Sequence, residues 1–221
     1  MIGIFDSGIG GLCSLYEYKR LCPKESVIYL SDGENAPYGT KSKDEILAIT
    51  KRNIKTLYSS GATEILIACC TASTVWDSLD VWERGISYPI ISPAAKAAAC
   101  CGKRIAVIAT EQTVNSGCFR EKILEMRPEC TVEQISAQLL VSAVEGGCRD
   151  GHLCKTTEAY LDALCDKVRS ISPDALILGC THFSHLEREI SRRIGDCRTV
   201  NAAKLGAKML AETVEKKRKK S

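Results

Sequence analysis

The sequence predicts an α/β protein of two pseudo-symmetric α/β domains, each with a mainly parallel sheet, and a ligand cleft between them. Three observations lead there. Short apolar, β-rich runs alternate with amphipathic segments along the 221 residues, as parallel strands alternate with crossover helices. The stretches ILIACCTAS (65–73) and LILGCTHFS (176–184) echo one another, each a strand running into Cys, then Thr, then a helix start. The echo sets one thiol at the carboxyl end of a strand in each half, the end at which open α/β sheets bind ligands.

The first strand is expected at 2–5, an unbroken apolar run that stops at Asp6-Ser7. Gly8, Gly10 and Gly11 then allow a tight turn into a helix at 11–21. Such a turn offers backbone N–H groups and a helix N-terminus as a seat for a carboxylate or phosphate. It is not the dinucleotide fingerprint, because Cys13 stands where the third glycine belongs. A second strand at 27–30 ends near Asp32, and Pro37-Tyr38-Gly39 forms a rigid turn before a helix at 42–60 that begins at Ser42. Strands at 65–68, 105–108 and 175–178 follow, with helices at 74–81, 116–126, 156–169, 184–194 and 202–217. Pro89 and Pro93 bracket a short extended piece that reads as a hinge. Ser184 and Glu187 have the spacing of a capping box. Glu145, ahead of two glycines, reads as a solvated loop acid.

Composition narrows the function. At 45% hydrophobic and 26% charged residues, the chain is an ordinary globular protein and not a disordered one. No run approaches the ~20 apolar residues a membrane crossing needs. The start MIGIFDSG lacks the basic region of a signal peptide, so a cytoplasmic protein is expected. Net charge is +3, with much of the excess in Lys216 to Lys220; that run reads as a helix terminus whose cations face the negative end of the dipole. With aromatics at 5%, nucleic acid is not expected as a partner. Thirteen cysteines without a C-x-x-C pair point to reduced thiols, most of them small buried hydrophobes. Cys180-His182-His185 and Cys148-His152-Cys154 are conceivable zinc sets, but neither has standard spacing.

The strand-end thiols carry the chemistry. A free thiol, with a pKa near ~8.5, is a few per cent ionised at neutral pH. A helix N-terminus and a neighbouring imidazole, here His182, favour the thiolate. Two thiols on facing walls could take and give a proton.

Together DSGIGGL, APYGTKS, ACCTAS, TVNSG, VEGG and LGCTH, in that order along nearly the whole chain, resemble the glutamate racemases of the aspartate/glutamate racemase superfamily. The resemblance implies a cofactor-independent cytoplasmic isomerase that supplies D-glutamate for peptidoglycan. Its domains would be 1–91 plus 196–221, with a returning C-terminal helix, and 92–195. It assigns the acid/base roles to Cys69 and Cys180, and a tuning role to Asp6 and His182. Ser7, Pro37, Tyr38, Gly39, Cys70, Thr71, Thr113, Ser116 and Thr181 would hold the substrate, with Asp32 and Glu145 behind them. The substrate would be a small amino acid, no pyridoxal lysine or metal is required, and a homodimer is the base-rate assembly. Cys70 stands where the family has Asn, Asn35 where it has Arg, Ser184 where it has Pro, and Val200-Asn201-Ala202 replaces an I-D-S-like segment. A racemase for aspartate or another small amino acid, and an inactive amino-acid-binding relative, are the alternatives.

Overall fold

In the computed structural model, which describes residues 1–219, two four-stranded parallel sheets share one strand order. The elements are β1 (Ile2–Asp6), α1 (Leu12–Leu21), β2 (Val27–Ser31), α2 (Lys43–Ser59), β3 (Glu64–Ile67), α3 (Cys70–Ser73), α4 (Val81–Ile86), β4 (Ser87–Pro89) and α5 (Ile91–Ala99). The second half continues with β5 (Arg104–Ala109), α6 (Glu111–Ser116), α7 (Cys118–Met126), β6 (Thr131–Ser136), α8 (Gln138–Glu145), α9 (Lys155–Ile171), β7 (Ala175–Gly179), α10 (Glu187–Ile194), β8 (Arg198–Asn201) and α11 (Ala202–Arg218). The sheets run β2-β1-β3-β4 and β6-β5-β7-β8, all pairs parallel. In each half the third strand therefore lies inside its sheet, beside the first. β3 and β7 are equivalent.

Side chains alternate across a strand with period two, and the alternation builds the molecule. Leu66 and Ala68 face an apolar core shared by both halves, as do Ala175 and Ile177 of β7. Ile65, Ile67 and Cys69 face the other way, into the cluster under α2. Leu176, Leu178 and Cys180 do the same in the second half, with residues of α8 and α9. The shared core takes Ile91 and Ala94 of α5, Phe119 and Ile123 of α7, and Ala207, Leu210 and Val214 of α11. The Ser14 hydroxyl of α1 donates to the Ala203 carbonyl of α11 at 3.2 Å. α2 starts at a full capping box between Ser42 and Glu45, as expected from Ser42.

Three strands have no counterpart in the sequence reading, and all are sheet edges: β4, β6 and β8. None carries a continuous apolar run: β4 has only three residues, SYP, and polar side chains interrupt TVEQIS in β6 and RTVN in β8, whereas the edge strand β2 keeps VIYL. Residues 198–201, grouped above with the first half, pair with β7 in the second sheet. The expected hinge is α5, whose Pro93 falls in the first turn, where a missing N–H leaves no intrahelical bond unmade. The helix expected at 74–81 is replaced by α3, a 3₁₀ turn (Trp76–Ser78) and α4. The helix expected at 116–126 forms as α7, which starts at Cys118 because Gly117, in the left-handed region at φ 70°, ends the preceding α6. Ser184 and Glu187 form no capping box; both bind Asn201, the N-cap of α11. At the C-terminus, Lys217 pairs with Glu64 and Arg218 with Glu25, while Lys220 lies outside the described residues. Among the described residues no helix is long and apolar enough to cross a membrane.

A β-carbon at Gly179 would lie 2.9 Å from both the Ile108 carbonyl oxygen and the Phe119 ring. Gly179→Ala should therefore cost about 1–3 kcal/mol in denaturant unfolding; unchanged stability would show that this seam is loosely packed.

Candidate active site

The two thiols stand just past equivalent strands, on equivalent faces, and are 5% (Cys69) and 6% (Cys180) exposed. Cys69 caps α3: the Ala72 N–H donates to its sulfur at 3.5 Å, and its S–H points to the Ser7 hydroxyl at 3.9 Å. Cys180 has a different neighbour. Its sulfur lies 3.7 Å from Nδ1 of His182, whose Nε2 is 2.5 Å from Oε1 of Glu145. A carboxylate only accepts, so the ring hydrogen belongs on Nε2 and Nδ1 is left to accept from the thiol. The result is a Cys-His-Glu chain with Glu145 at the half-open end. Glu145 closes α8 and is not a free loop acid.

Asp6 binds the halves together. The wholly buried carboxylate at the end of β1 accepts from the Thr181 hydroxyl and from the Gly8 N–H, each at 3.1 Å. The glycine turn is thus not a vacant anion seat, since the protein's own Asp6 takes its N–H groups. The turn serves a close approach instead. A β-carbon on Gly10 would stand 2.5 Å from the Thr181 hydroxyl and 2.7 Å from Nδ1 of His182, and one on Gly8 would stand 2.6 Å from Glu145. Tyr29, which the sequence reading did not single out, steadies the turn by donating to the Gly8 carbonyl at 2.8 Å.

Beside this cluster, hydroxyls of Thr71, Thr110 and Thr113 form a buried triangle at 2.9–3.1 Å that joins α3 to α6 across the halves. Thr110 was also missed, although Thr110-x-x-Thr113 has N-cap spacing and Thr110 does cap α6. Gly39 packs against Thr110 and Gln138, and the buried Gln138 Oε1 has no partner within the protein. Nothing in the sequence marks Gln138. The Tyr38 hydroxyl is directed at Asp32 (2.5 Å), not outward; Asp32 also takes Asn35, Arg52 and Asn53, while the Tyr38 ring joins the apolar cluster that contains Cys69.

Two expected positions fall elsewhere. Cys70, expected against substrate, is 2% exposed in the shared apolar core, because helix geometry turns it away from the Cys69 side. Ser116, expected at a helix start, ends α6; its hydroxyl donates to the Thr113 carbonyl and accepts from the Cys118 N–H. Pro37 is exposed beside the buried Tyr38 and Gly39. Among the described residues no three His, Cys, Asp or Glu side chains converge to hold a metal ion, so neither zinc set is assembled.

Burial dominates the electrostatics. It pushes the Cys69 thiol up to about 12, with Asp6 adding to the rise and the Ala72 N–H and Ser7 hydroxyl opposing it. Burial and then the charge of Cys69 raise Cys180 well above the ordinary thiol range, against the N–H of His182. Burial likewise raises Asp6, against His182 and the N–H groups of Gly8 and Gly11. Asp32 is lower than usual: burial raises it, but the bonds from Tyr38, Asn35 and Asn53 together prevail. These thiols are reluctant to ionise, and once ionised they are strong bases.

The model of the Asp/Glu/Hydantoin racemase family matches residues 17–210. A glutamate racemase of Picosynechococcus sp. is 36% identical over 189 residues, 84% of this chain and 66% of that protein. The glutamate racemase of Trichodesmium erythraeum is 38% identical over 190 residues, 84% of this chain and 68% of that one. The chain thus spans about two thirds of the length of these relatives. The crystal structure of glutamate racemase from Francisella tularensis in complex with D-glutamate superposes with a TM-score of 0.89, at 30% identity, covering 98% of this chain and 81% of that one.

A thiol raised on folding binds its proton more tightly in the folded than in the unfolded state. Its contribution to stability is whole below the unfolded value near ~8.5 and is lost as pH climbs toward the folded value, at about 1.4 kcal/mol per pH unit. Stability should therefore fall above about pH 8.5. Cys70, which burial raises well above the usual range, should account for one thiol's share of that slope. Unfolding of Cys70→Ala between pH 8 and 10 should show a shallower decline; an unchanged slope would mean that Cys70 ionises freely in the fold.

Proposed function

The chain belongs to the Asp/Glu/Hydantoin racemase family, and from that premise we propose that it is an isomerase interconverting L- and D-glutamate through Cys69 and Cys180. One observation carries the reading: two buried thiols follow equivalent strands on equivalent faces and share the electrostatics of one carboxylate, Asp6. Racemisation needs a base on one side of Cα and an acid on the other.

In one direction a thiolate takes the α-proton: the S–H bond forms, the C–H bond breaks, and the electron pair passes onto Cα and its carboxylate. The opposite thiol then delivers its proton to the other face, forming the new C–H bond and becoming the thiolate. In reverse the roles exchange. The burial that makes each thiolate costly also makes it basic enough for a weakly acidic C–H. A zwitterionic substrate brings an ammonium group that offsets the buried negative charge. The two sides generate thiolate differently. Cys180 can pass its proton to Nδ1 of His182, whose imidazolium Glu145 would steady; Cys69 leans on the Ser7 hydroxyl and the Ala72 N–H.

Hydroxyls of Ser7, Thr71 and Thr113, with backbone at Gly39 and Thr181, would hold the carboxylates, the Thr181 hydroxyl being taken by Asp6. The chemistry calls for no cofactor. On this reading the enzyme acts in the cytoplasm on a small amino acid, and its D-glutamate serves peptidoglycan. Support for glutamate comes from the names of the curated relatives and from the D-glutamate complex of the Francisella protein.

The test is α-proton exchange in deuterated water, followed by NMR for L- and D-glutamate and for aspartate. Glutamate should exchange and invert, and Cys69→Ala and Cys180→Ala should each lower inversion by at least ~100-fold. Cys70→Ala should be milder. Full inversion by either thiol variant contradicts its assigned role. Exchange confined to aspartate would move the substrate, and no exchange with any acidic amino acid would leave a binding protein.

A further inference from the structure

Beyond the cleft, a second pair of thiols lies in the segment that follows Glu145. Cys148 and Cys154 stand with their sulfurs 3.9 Å apart, and both contact one hydroxyl, Oγ1 of Thr157, at 3.4 and 3.1 Å. Cys154 is exposed and is the N-cap of the 17-residue helix α9; Cys148 is partly covered. Gly147 and Gly151, both at positive φ, let the segment fold back on itself, closed by the bridge between Arg149 and His152. The racemase chemistry uses neither sulfur.

We propose that Cys148 and Cys154 are a modification site, a dithiol that hydroperoxides oxidise to a disulfide, and that this bond fixes the segment behind Glu145. The Thr157 hydroxyl and then the Thr157 N–H draw the Cys154 thiol down to about 7, which supports Cys154 as the attacking sulfur. Its thiolate attacks the peroxide: an S–O bond forms, the O–O bond breaks, and the departing oxygen takes a proton and leaves as water or alcohol. Cys148 then attacks the sulfenic sulfur; the S–S bond forms, the S–O bond breaks, and water carries away the thiol proton. Two thiols are oxidised and one peroxide is reduced.

The link reaches catalysis through a short lever. A disulfide is about 2.05 Å long, so the sulfurs must close by nearly half their present separation. The Cys148 N–H is bonded to the Ala143 carbonyl at 2.9 Å, in the last turn of α8. Glu145 sits in that turn and reaches His182 over 2.5 Å. Displacing it uncouples the Cys180 side; this consequence rests on the racemase reading, whereas the disulfide itself does not.

The test treats the reduced full-length protein with hydrogen peroxide, blocks remaining thiols by alkylation, and maps links by tandem mass spectrometry. A Cys148–Cys154 link should form before the exposed Cys100 is oxidised, and Cys148→Ser should stop at a sulfenic acid on Cys154 that dimedone traps. Oxidation of Cys100 first, or no such link, overturns the site. In parallel, α-proton exchange by linked wild-type protein should fall about tenfold or more and return on reduction, while Cys148→Ser/Cys154→Ser keeps its rate under peroxide. Unchanged exchange in fully linked protein overturns the hold on Glu145. If the reduced protein shows no exchange at all, the racemase reading fails, and the mass map still judges the dithiol.

Discussion

The site depends on how closely the backbone of the first half can approach the second. Gly8 and Gly10 lie against Glu145, Thr181 and His182 with no room for a β-carbon, and the Thr181 hydroxyl closes the seam on the buried Asp6. A side chain at Gly10 would also meet the His182 backbone, at 2.8 Å, and would force the strand ends apart and take Asp6 out of reach, whereas one at Gly8 would displace the end of the Glu145 side chain. Once the seam is closed, the period-two alternation of β3 and β7 does the rest: Ile65, Ile67 and Cys69 repeat in Leu176, Leu178 and Cys180. The same alternation turns their neighbours into the shared core.

The symmetry is one of backbone and sulfur, not of surroundings. Cys180 has an imidazole backed by a carboxylate, while Cys69 has a hydroxyl and an amide N–H. Both are raised by burial, so the difference lies in how each loses its proton. The Cys180 side has a chain of contacts through His182 that ends at the partly exposed Glu145. The Cys69 contacts with Ser7 and Ala72 reach no such exposed group.

The interior strands were legible because burial on both faces writes an unbroken apolar run, as in IGIF and LILG. The edges β4, β6 and β8 were not, since SYP is too short and polar residues break TVEQIS and RTVN, while the edge β2 kept its apolar VIYL. Cys69, Cys180, Asp6, Thr181 and His182 stood in recognisable segments, and the structure brings them into one cluster. What the chain could not display was contact between segments far apart in it. The Thr110 hydroxyl in the triangle, the Gly39-Gln138 contact and the inward turn of Cys70 depend on how the halves meet. Ser116 was misplaced for a local reason, the left-handed Gly117, which ends α6 before α7 starts.

The central claim is geometric: the substrate's α-carbon sits between two sulfurs. A crystal structure of the wild-type protein with bound D-glutamate measures it directly. The account requires Cα to lie about 3–3.5 Å from the sulfur of Cys69 on one face and from that of Cys180 on the other. A bound glutamate that reaches only one of them, or that lies outside the Asp6 seam altogether, would contradict it.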